Sequence, residues 1–411
     1  MFDNLLFQPA GDLLADDIRS DRLPGAILLS GSASSGKLTC ALEIARILAC
    51  RNNPRGEWTC VCPSCLQHKA LVHTNVLLAG PRDCSLEIAA AQHTFLQASA
   101  EHASYANAAR YLFVRSIRKL TMRFSQILWQ DDDKLPKIAP VVSAIDECLE
   151  QVDYPRELPE SEELAKLCGE AVKQSMKLEE DFMYDSVPVN QVRNASLWAH
   201  MSASEGKKVI ILENADLMLD SVRNALLKIL EEPPADTVFV LTTTRRGAVM
   251  PTILSRVRTY TFADRTPDEQ KQVVSRVFHD DADTLGVQTI NGYMQTFLPV
   301  SPEEIRKNAR SFFAVIASSG IPDVMQTVKD CGGFGMRILL KIFLEELETS
   351  HRKLLETPAG TDAASQCVDA VRTCWNDVTI YNQTPAAALE QLVRMLLKIN
   401  AEHAHIFKSV I

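Results

Sequence analysis

The sequence predicts an α/β fold: a parallel sheet carrying a phosphate-binding loop, with all-helical pieces after it. Three observations predict this. The stretch GSASSGKLT (31–39) sets Gly31, Gly36 and Lys37 at G-x-x-x-x-G-K spacing. Such glycines let backbone N–H groups converge on a phosphate at a helix N-terminus, and the Lys adds positive charge. The loop also has the setting it requires, an apolar run before it (AILL, 26–29) and a helical pattern after it (38–49). Finally, the runs TNVLLAG (74–80), VIIL (209–212) and VFVLT (238–242) alternate with helical segments. Strands apolar on both faces and separated by helices make a parallel sheet covered on both sides.

In chain order, AILL is bounded by Pro24-Gly25 and Gly31 and reads as a buried strand. Between the second and third strands, residues 85–185 are helix-rich and interrupted by QDDDKLP and DYPRELPESEE. There Phe113, Ile117, Leu120, Phe124 and Ile127 recur at helical spacing, and Arg115, Arg118, Lys119 and Arg123 share much of the opposite side. In SVRNALLKILEE, Val222, Ala225, Leu226, Ile229 and Leu230 follow helix spacing until Pro233-Pro234 stops the pattern. After Phe262 the strand signals fade. Thr266-Pro267-Asp268-Glu269 and Ser301-Pro302-Glu303-Glu304 are capping boxes with Pro at the first helical position. From about residue 322 long amphipathic helices dominate, including MRILLKIFLEELETSHRKLL and PAAALEQLVRMLLKINAEHAHIFKSVI.

The 411 residues suffice for about three domains, and 46% hydrophobic with 23% charged content is ordinary for a globular protein. A net charge of −9 argues against a general nucleic-acid coat. Most of it falls in 85–185, which holds 18 acidic and 11 basic residues. The opening MFDNLLFQPAGDLL lacks a basic-then-apolar leader pattern, and no apolar run approaches the ~18 residues of a membrane span. The 11 cysteines of such a chain read as thiols or metal ligands, so the expected compartment is the cytoplasm.

Four groups carry chemistry. In the phosphate loop, Mg²⁺ needs a hydroxyl directly after the Lys, and Leu38 stands there. Thr39 is one place late, roughly 100° further round a helix. At the end of VIIL, where an ATPase sets an Asp for Mg²⁺ and a Glu to polarise water, the pair is Glu213-Asn214. Glu213 could still hold a metal, but an amide cannot act as a base, and Asp216 is expected to face elsewhere. Both losses argue against hydrolysis and make Mg²⁺ doubtful, while leaving ATP binding itself open. Cys50, Cys60, Cys62 and Cys65, spaced C-x9-C-x-C-x2-C, can close a tetrahedral Zn²⁺ site. His68 and His73 follow closely and read as ordinary polar residues. Ser255-Arg256 lies beyond the strand-end threonines 242–244, and a guanidinium at a subunit edge can reach a neighbour's γ-phosphate. Spacing alone favours a surface ion pair for Arg256.

NALLKILEEPPADTVFVLTTT…PTILSR resembles the clamp-loader ATPases of bacterial DNA polymerase III, in the AAA+ superfamily. The resemblance runs from FDNLLFQ through GSASSGK and the cysteine cluster to SRVRTYTF. It implies an AAA+ phosphate-loop domain at 1–263, with a zinc module at about 50–68 and a helical insert at about 85–185. A helical lid at 264–320 and a helical collar for oligomerisation at 321–411 would follow. Gly31, Gly36 and Lys37 match the nucleotide loop, with Thr39 beside it. Cys50, Cys60, Cys62 and Cys65 match the zinc module, at a spacing that departs from the family's. Glu213 and Asn214 fall on the acidic pair, and Thr243 falls near the first sensor position. Arg256 matches the arginine finger that serves the adjacent subunit's ATP, with Val257 in place of the family's Cys.

The altered loop and acidic pair fit the delta-prime kind within the gamma/tau/delta-prime family, as does the lack of a G-S-x-R pattern in 266–319. The resemblance then implies a hetero-oligomer with gamma/tau and delta subunits, a sliding clamp, primer–template DNA held through its phosphates, and no membrane. Two other readings stay open: an ATP-hydrolysing gamma/tau-type subunit, and a zinc-containing replisome scaffold without a nucleotide role. The insert reads either as a surface decoration or as a docking surface, with Arg115, Arg118, Lys119 and Arg123 as the residues that would tell.

Overall fold

The structure is a computed structural model and describes residues 1–52, 55–203, 206–356, 358–381, 383–403 and 406–409. The chain forms two compact units, Met1–Met294 and Gln295–Ile411.

The first unit is built on a parallel sheet. Its strands are β1 (Ala26–Ser30), β2 (Val76–Ala79), β3 (Lys208–Leu212), β4 (Thr237–Thr243) and β5 (Arg258–Thr261). Their order is β2-β3-β4-β1-β5, with every pairing parallel. The four expected strands are β1 to β4, and all are buried along their length. Alternation divides their side chains between two cores. Leu28, Leu77, Ile210 and Leu241 meet one, and Ile27, Leu29, Ile211 and Val240 meet the other. The helix Lys37–Ala49 covers the second face, through Leu38, Ile44 and Leu48. The fifth strand escaped the sequence reading. It is an edge strand in which only Tyr260 is buried, so it lacks the apolar run that marks the others.

The expected insert contains the helices Ser85–Ala100, Ala106–Thr121, Leu135–Val152 and Ser161–Phe182. It is not a surface decoration. Phe95, Phe113, Ile145 and Leu164 belong to the same core as Leu28 and Ile210 of the sheet. Nor are its four cations a solvated stripe or a free docking face. Arg115 donates to Lys69 O, and Arg118 donates to Ala70 O at 3.0 Å and to Asp153 at 2.6 Å. Lys119 pairs with Glu87, and Arg123 pairs with Glu213. The cations fasten these helices to the cysteine module and to the strand ends.

The second unit is helical among its described residues. The helices Pro302–Ala317, Arg337–Arg352 and Pro385–Glu402 share one core through Phe312, Phe343, Leu347, Leu392 and Leu396. Both expected capping boxes form, at Thr266 and at Ser301. Of the long closing helix read from the sequence, residues 404–405 and 410–411 lie outside the described residues. Among the described residues no helix is long and apolar enough to cross a membrane.

Candidate functional site

The phosphate loop leaves the C-terminal end of β1. Gly31 N donates to Thr243 O at 3.2 Å, so the loop starts beside the end of β4. Two positions demand glycine. A Cβ on Gly31 would lie 2.7 Å from Phe262 Cβ, and Gly36 takes φ +97° as the helix Lys37–Ala49 begins. Lys37 is 9% exposed, and its Nζ turns back into its own loop. It donates to Gly31 O at 2.6 Å, to Ser35 Oγ at 3.2 Å and to Ser32 O. Burial lowers the Lys37 amine to about 8; Glu213 opposes this shift and Arg82 adds to it. From beyond β5, Arg265 donates to Leu6 O at 2.9 Å, Ser34 O at 2.8 Å and Ser35 O at 3.0 Å. It thereby fixes the loop's outer side, a role the sequence reading missed.

The residues expected to decide metal binding at this loop are otherwise engaged. Leu38 is buried in the apolar core, and Thr39 is half-buried one position further round. Glu213, at the end of β3, is buried and pairs with Arg82 at 3.1 Å and with Arg123. Arg82 also reaches Glu87 at 3.1 Å. Against the cost of burial, Lys119 and Arg82 hold the Glu87 carboxyl at about 2. Asn214 sits in the left-handed region at φ 57°, and its Nδ2 donates to Pro81 O at 2.7 Å. Asp216 faces inward after all: it accepts from Thr243 Oγ1 at 2.7 Å and from Arg245 at 3.2 Å. The fold therefore brings Lys37, Glu213, Asn214 and Thr243 to one end of the sheet. There both carboxylates are engaged by cations or a hydroxyl, and Asn214 offers no base. The loop, Lys37 and the strand ends thus meet at one end of the sheet, with Glu213 and Asp216 both already engaged.

Arg256 follows the short helix Pro251–Leu254 and is bound elsewhere. Its Nη2 and Nε donate to Glu231 Oε2 at 3.0 and 3.2 Å, and its Nη1 donates to Thr252 O at 2.9 Å. Its side chain is 27% exposed and that of Glu231 is 60% exposed, so the pair lies on the surface.

The four cysteines Cys50, Cys60, Cys62 and Cys65 do come together, all buried, with Sγ atoms within 4.8 Å of one another. The Cys50–Cys60 Sγ separation is 3.7 Å. A tetrahedral ion with metal–sulfur bonds of about 2.3 Å sets its sulfurs about 3.8 Å apart, so these donors fit one. Against burial, backbone N–H groups of Arg51 and Cys65 bring the Cys62 thiol down to about 6. His68 and His73 stack on each other at 4.0 Å outside this set. His73 bonds with Ser64 Oγ at 3.2 Å and accepts from Asn75 N at 3.1 Å.

A family model described as DNA polymerase III, delta subunit, matches residues 8–126 and 160–266. The stretch it leaves out, 127–159, is narrower than the expected insert and lies within it. The delta' subunit of DNA polymerase III from Escherichia coli is 44% identical over 68 residues, 16% of this chain and 20% of that protein. The corresponding subunit from Pseudomonas aeruginosa is 42% identical over 71 residues, 17% and 22% of the two chains. The gamma/tau subunit from Mycobacterium tuberculosis is 37% identical over 70 residues, 17% of this chain and 12% of that protein. This chain thus covers between 12% and 22% of the length of these relatives. A solved gamma subunit-related protein from Thermotoga maritima shares 18% identity over 51% of this chain and 79% of that one, with a TM-score of 0.25, too low to bear on the fold.

Proposed function

Because the chain belongs to the DNA polymerase III delta-subunit family, we propose that it is a clamp-loader subunit of the delta-prime kind that acts on ATP held by a neighbouring subunit. The observation that carries this reading is the state of Glu213, paired with both Arg82 and Arg123. To take a Mg²⁺ ion, Glu213 would have to leave a buried ion pair, at a cost of about 3–5 kcal/mol. Leu38 offers the ion no oxygen, and Asn214 cannot activate water. The chain's own loop serves as a phosphate cradle or a structural remnant, and its own hydrolysis is absent or weak.

The reactive group in this proposal is Arg256, acting in trans. Its surface pair with Glu231 holds it by only about 0–1 kcal/mol. Exchanging that partner for a neighbour's γ-phosphate therefore costs little. Within a ring of gamma/tau and delta subunits, Arg256 would stabilise charge as the phosphoryl group leaves. Closure of the ring would then couple to opening a sliding clamp and loading it at primer–template DNA, with the DNA held through its phosphates and without sequence preference. Residues 264–320 would act as lid and 321–411 as collar. Zn²⁺ is the ion proposed for the four cysteines, as a structural centre.

The test is hydrolysis and loading by the reconstituted complex. Arg256→Ala should lower turnover at the neighbouring site by roughly 10³-fold or more, leave assembly intact and slow clamp loading. A normal loading rate in that complex would sink the proposal. DNA-stimulated hydrolysis by the isolated chain, lost in Lys37→Ala, would support a motor subunit instead.

A further inference from the structure

The surroundings of Cys65 lead us to propose that Arg46 is a positioning residue of the cysteine centre, donating to the Cys65 thiolate of the bound metal. The inference rests on the metal-binding reading of the four cysteines. Arg46 lies on the helix Lys37–Ala49, whose first residue is the loop lysine, and it is 1% exposed. Its Nη1 lies 3.3 Å from Cys65 Sγ. Its Nε donates to both Glu43 oxygens at 3.0 Å, and its Nη2 reaches the same carboxylate. Nη1 and Nη2 also donate to Glu57 O at 3.0 Å and Gly56 O at 2.8 Å. One side of the guanidinium is thus held by a carboxylate, and the other is aimed at the cysteine loop. Gly56 presents its carbonyl at φ +77°, where a Cβ would lie 2.8 Å from Ile47.

Glu43 already balances the charge of Arg46, so Nη1 is the donor left to face the cysteine loop. Four thiolates around a divalent ion carry a net charge of −2. In a buried site that charge is costly unless donors point at the sulfurs. A metal-bound thiolate keeps lone pairs, and an N–H donor on one of them draws charge off the sulfur without breaking the metal bond. The sulfur becomes less basic and competes less well for protons. Glu43 does for Arg46 what a carboxylate does for a metal-bound imidazole: it fixes the direction of the donor.

The full-length chain loaded with Co²⁺ tests this. The readouts are the energy of the sulfur-to-cobalt charge-transfer band and competition with a chromophoric chelator. The double variant Glu43→Gln/Arg46→Met removes both charges and keeps the volume. It should fold, bind Co²⁺ about 10–100-fold more weakly and move the band to lower energy, because the sulfur lone pairs rise when the donor is lost. An unchanged band with affinity unchanged in the folded double variant would overturn the inference and leave the metal reading standing. A wild-type chain that takes up no Co²⁺ would overturn both. Should the double variant fail to fold, Arg46→Lys, which keeps the charge and loses the planar fork, decides by the same two readouts.

Discussion

Removing the Arg123 guanidinium should destabilise the first unit by about 3–5 kcal/mol, the range for breaking a buried ion pair from one side. The side chains of Arg123 and Glu213 are 1% and 7% exposed. Arg123→Met strands the Glu213 carboxylate with Arg82 alone. It also takes a donor from Gly80 O and another from Lys119 O. Against a typical domain stability of about 5–15 kcal/mol, that is a large fraction. Most of the cost is a buried carboxylate left with one cation where it had two, so removing both charges should recover much of it. Arg123→Met/Glu213→Leu is expected to be more stable than Arg123→Met, with a coupling energy of about 2 kcal/mol or more. Three of the four tryptophans, Trp58, Trp129 and Trp198, lie in the first unit, and Trp375 lies in the second. Urea unfolding followed by fluorescence in a Trp375→Phe background therefore reports the first unit alone, which keeps the two units from blurring the transition. A cost below about 1 kcal/mol for Arg123→Met, or single effects that simply add, would refute the claim that this pair is buried and mutually dependent.

Two further predictions concern pH. Burial, with Asp83 adding to it, pushes the Glu179 carboxyl up to about 7, although Cys84 N donates to it at 2.9 Å. A raised carboxyl gives stability that is full below its unfolded value near 4.5 and lost as pH rises through about 7. Glu179→Gln should therefore gain up to about 3 kcal/mol on the wild type between pH 4.5 and pH 8, measured by urea titrations across that range. A gap that stays flat would remove the assigned cause. In the second unit His351 is buried against Phe313 at 4.9 Å, and neither ring nitrogen has a partner among the described residues. Burial lowers it to about 4, so its neutral form contributes stability that is lost as pH falls from about 6.5 to about 4. His351→Leu should lose about 3 kcal/mol less than wild type over that interval. Equal acid sensitivity of the two proteins would count against it.

The loop, four strands and the cysteine set were legible because each follows a local rule. Gly31, Gly36 and Lys37 announce themselves by spacing. β1 to β4 are buried on both faces and so appear as continuous apolar runs. Arg115, Arg118, Lys119 and Arg123 misled because helical periodicity separates apolar from charged positions without saying what the charged side meets. Their partners include backbone carbonyls at Lys69, Ala70 and Gly80 and carboxylates at Glu87, Asp153 and Glu213, 32 to 90 residues away. None of these leaves a mark in the neighbouring sequence. Arg265 was missed for the same reason, since it bonds to carbonyls at Leu6, Ser34 and Ser35. Arg46 did leave a signal. In ALEIARILAC, Glu43 and Arg46 stand three apart on a helix otherwise apolar in its middle, and a charged pair in such a setting implies burial with a partner.

These cations bear on the proposed roles of Leu38, Glu213 and Asn214. A carboxylate that must release and rebind a metal in each catalytic cycle cannot also be a fixed anchor. With Leu38 buried and Asn214 bonded to Pro81 O, Glu213 is held as such an anchor by Arg82 and Arg123. Arg123, in the turn just after the helix that carries Phe113, ties that turn to the end of β3, and Arg82 ties Glu213 to Glu87 and through it to Lys119. Each tie that strengthens the body of the first unit makes metal binding at Glu213 more costly. The proposed lack of hydrolysis and the firm seating of the helices on the sheet would thus rest on the same ion-pair network. Arg256 lies outside that network and is held only at the surface by Glu231, as the proposed in-trans role would require.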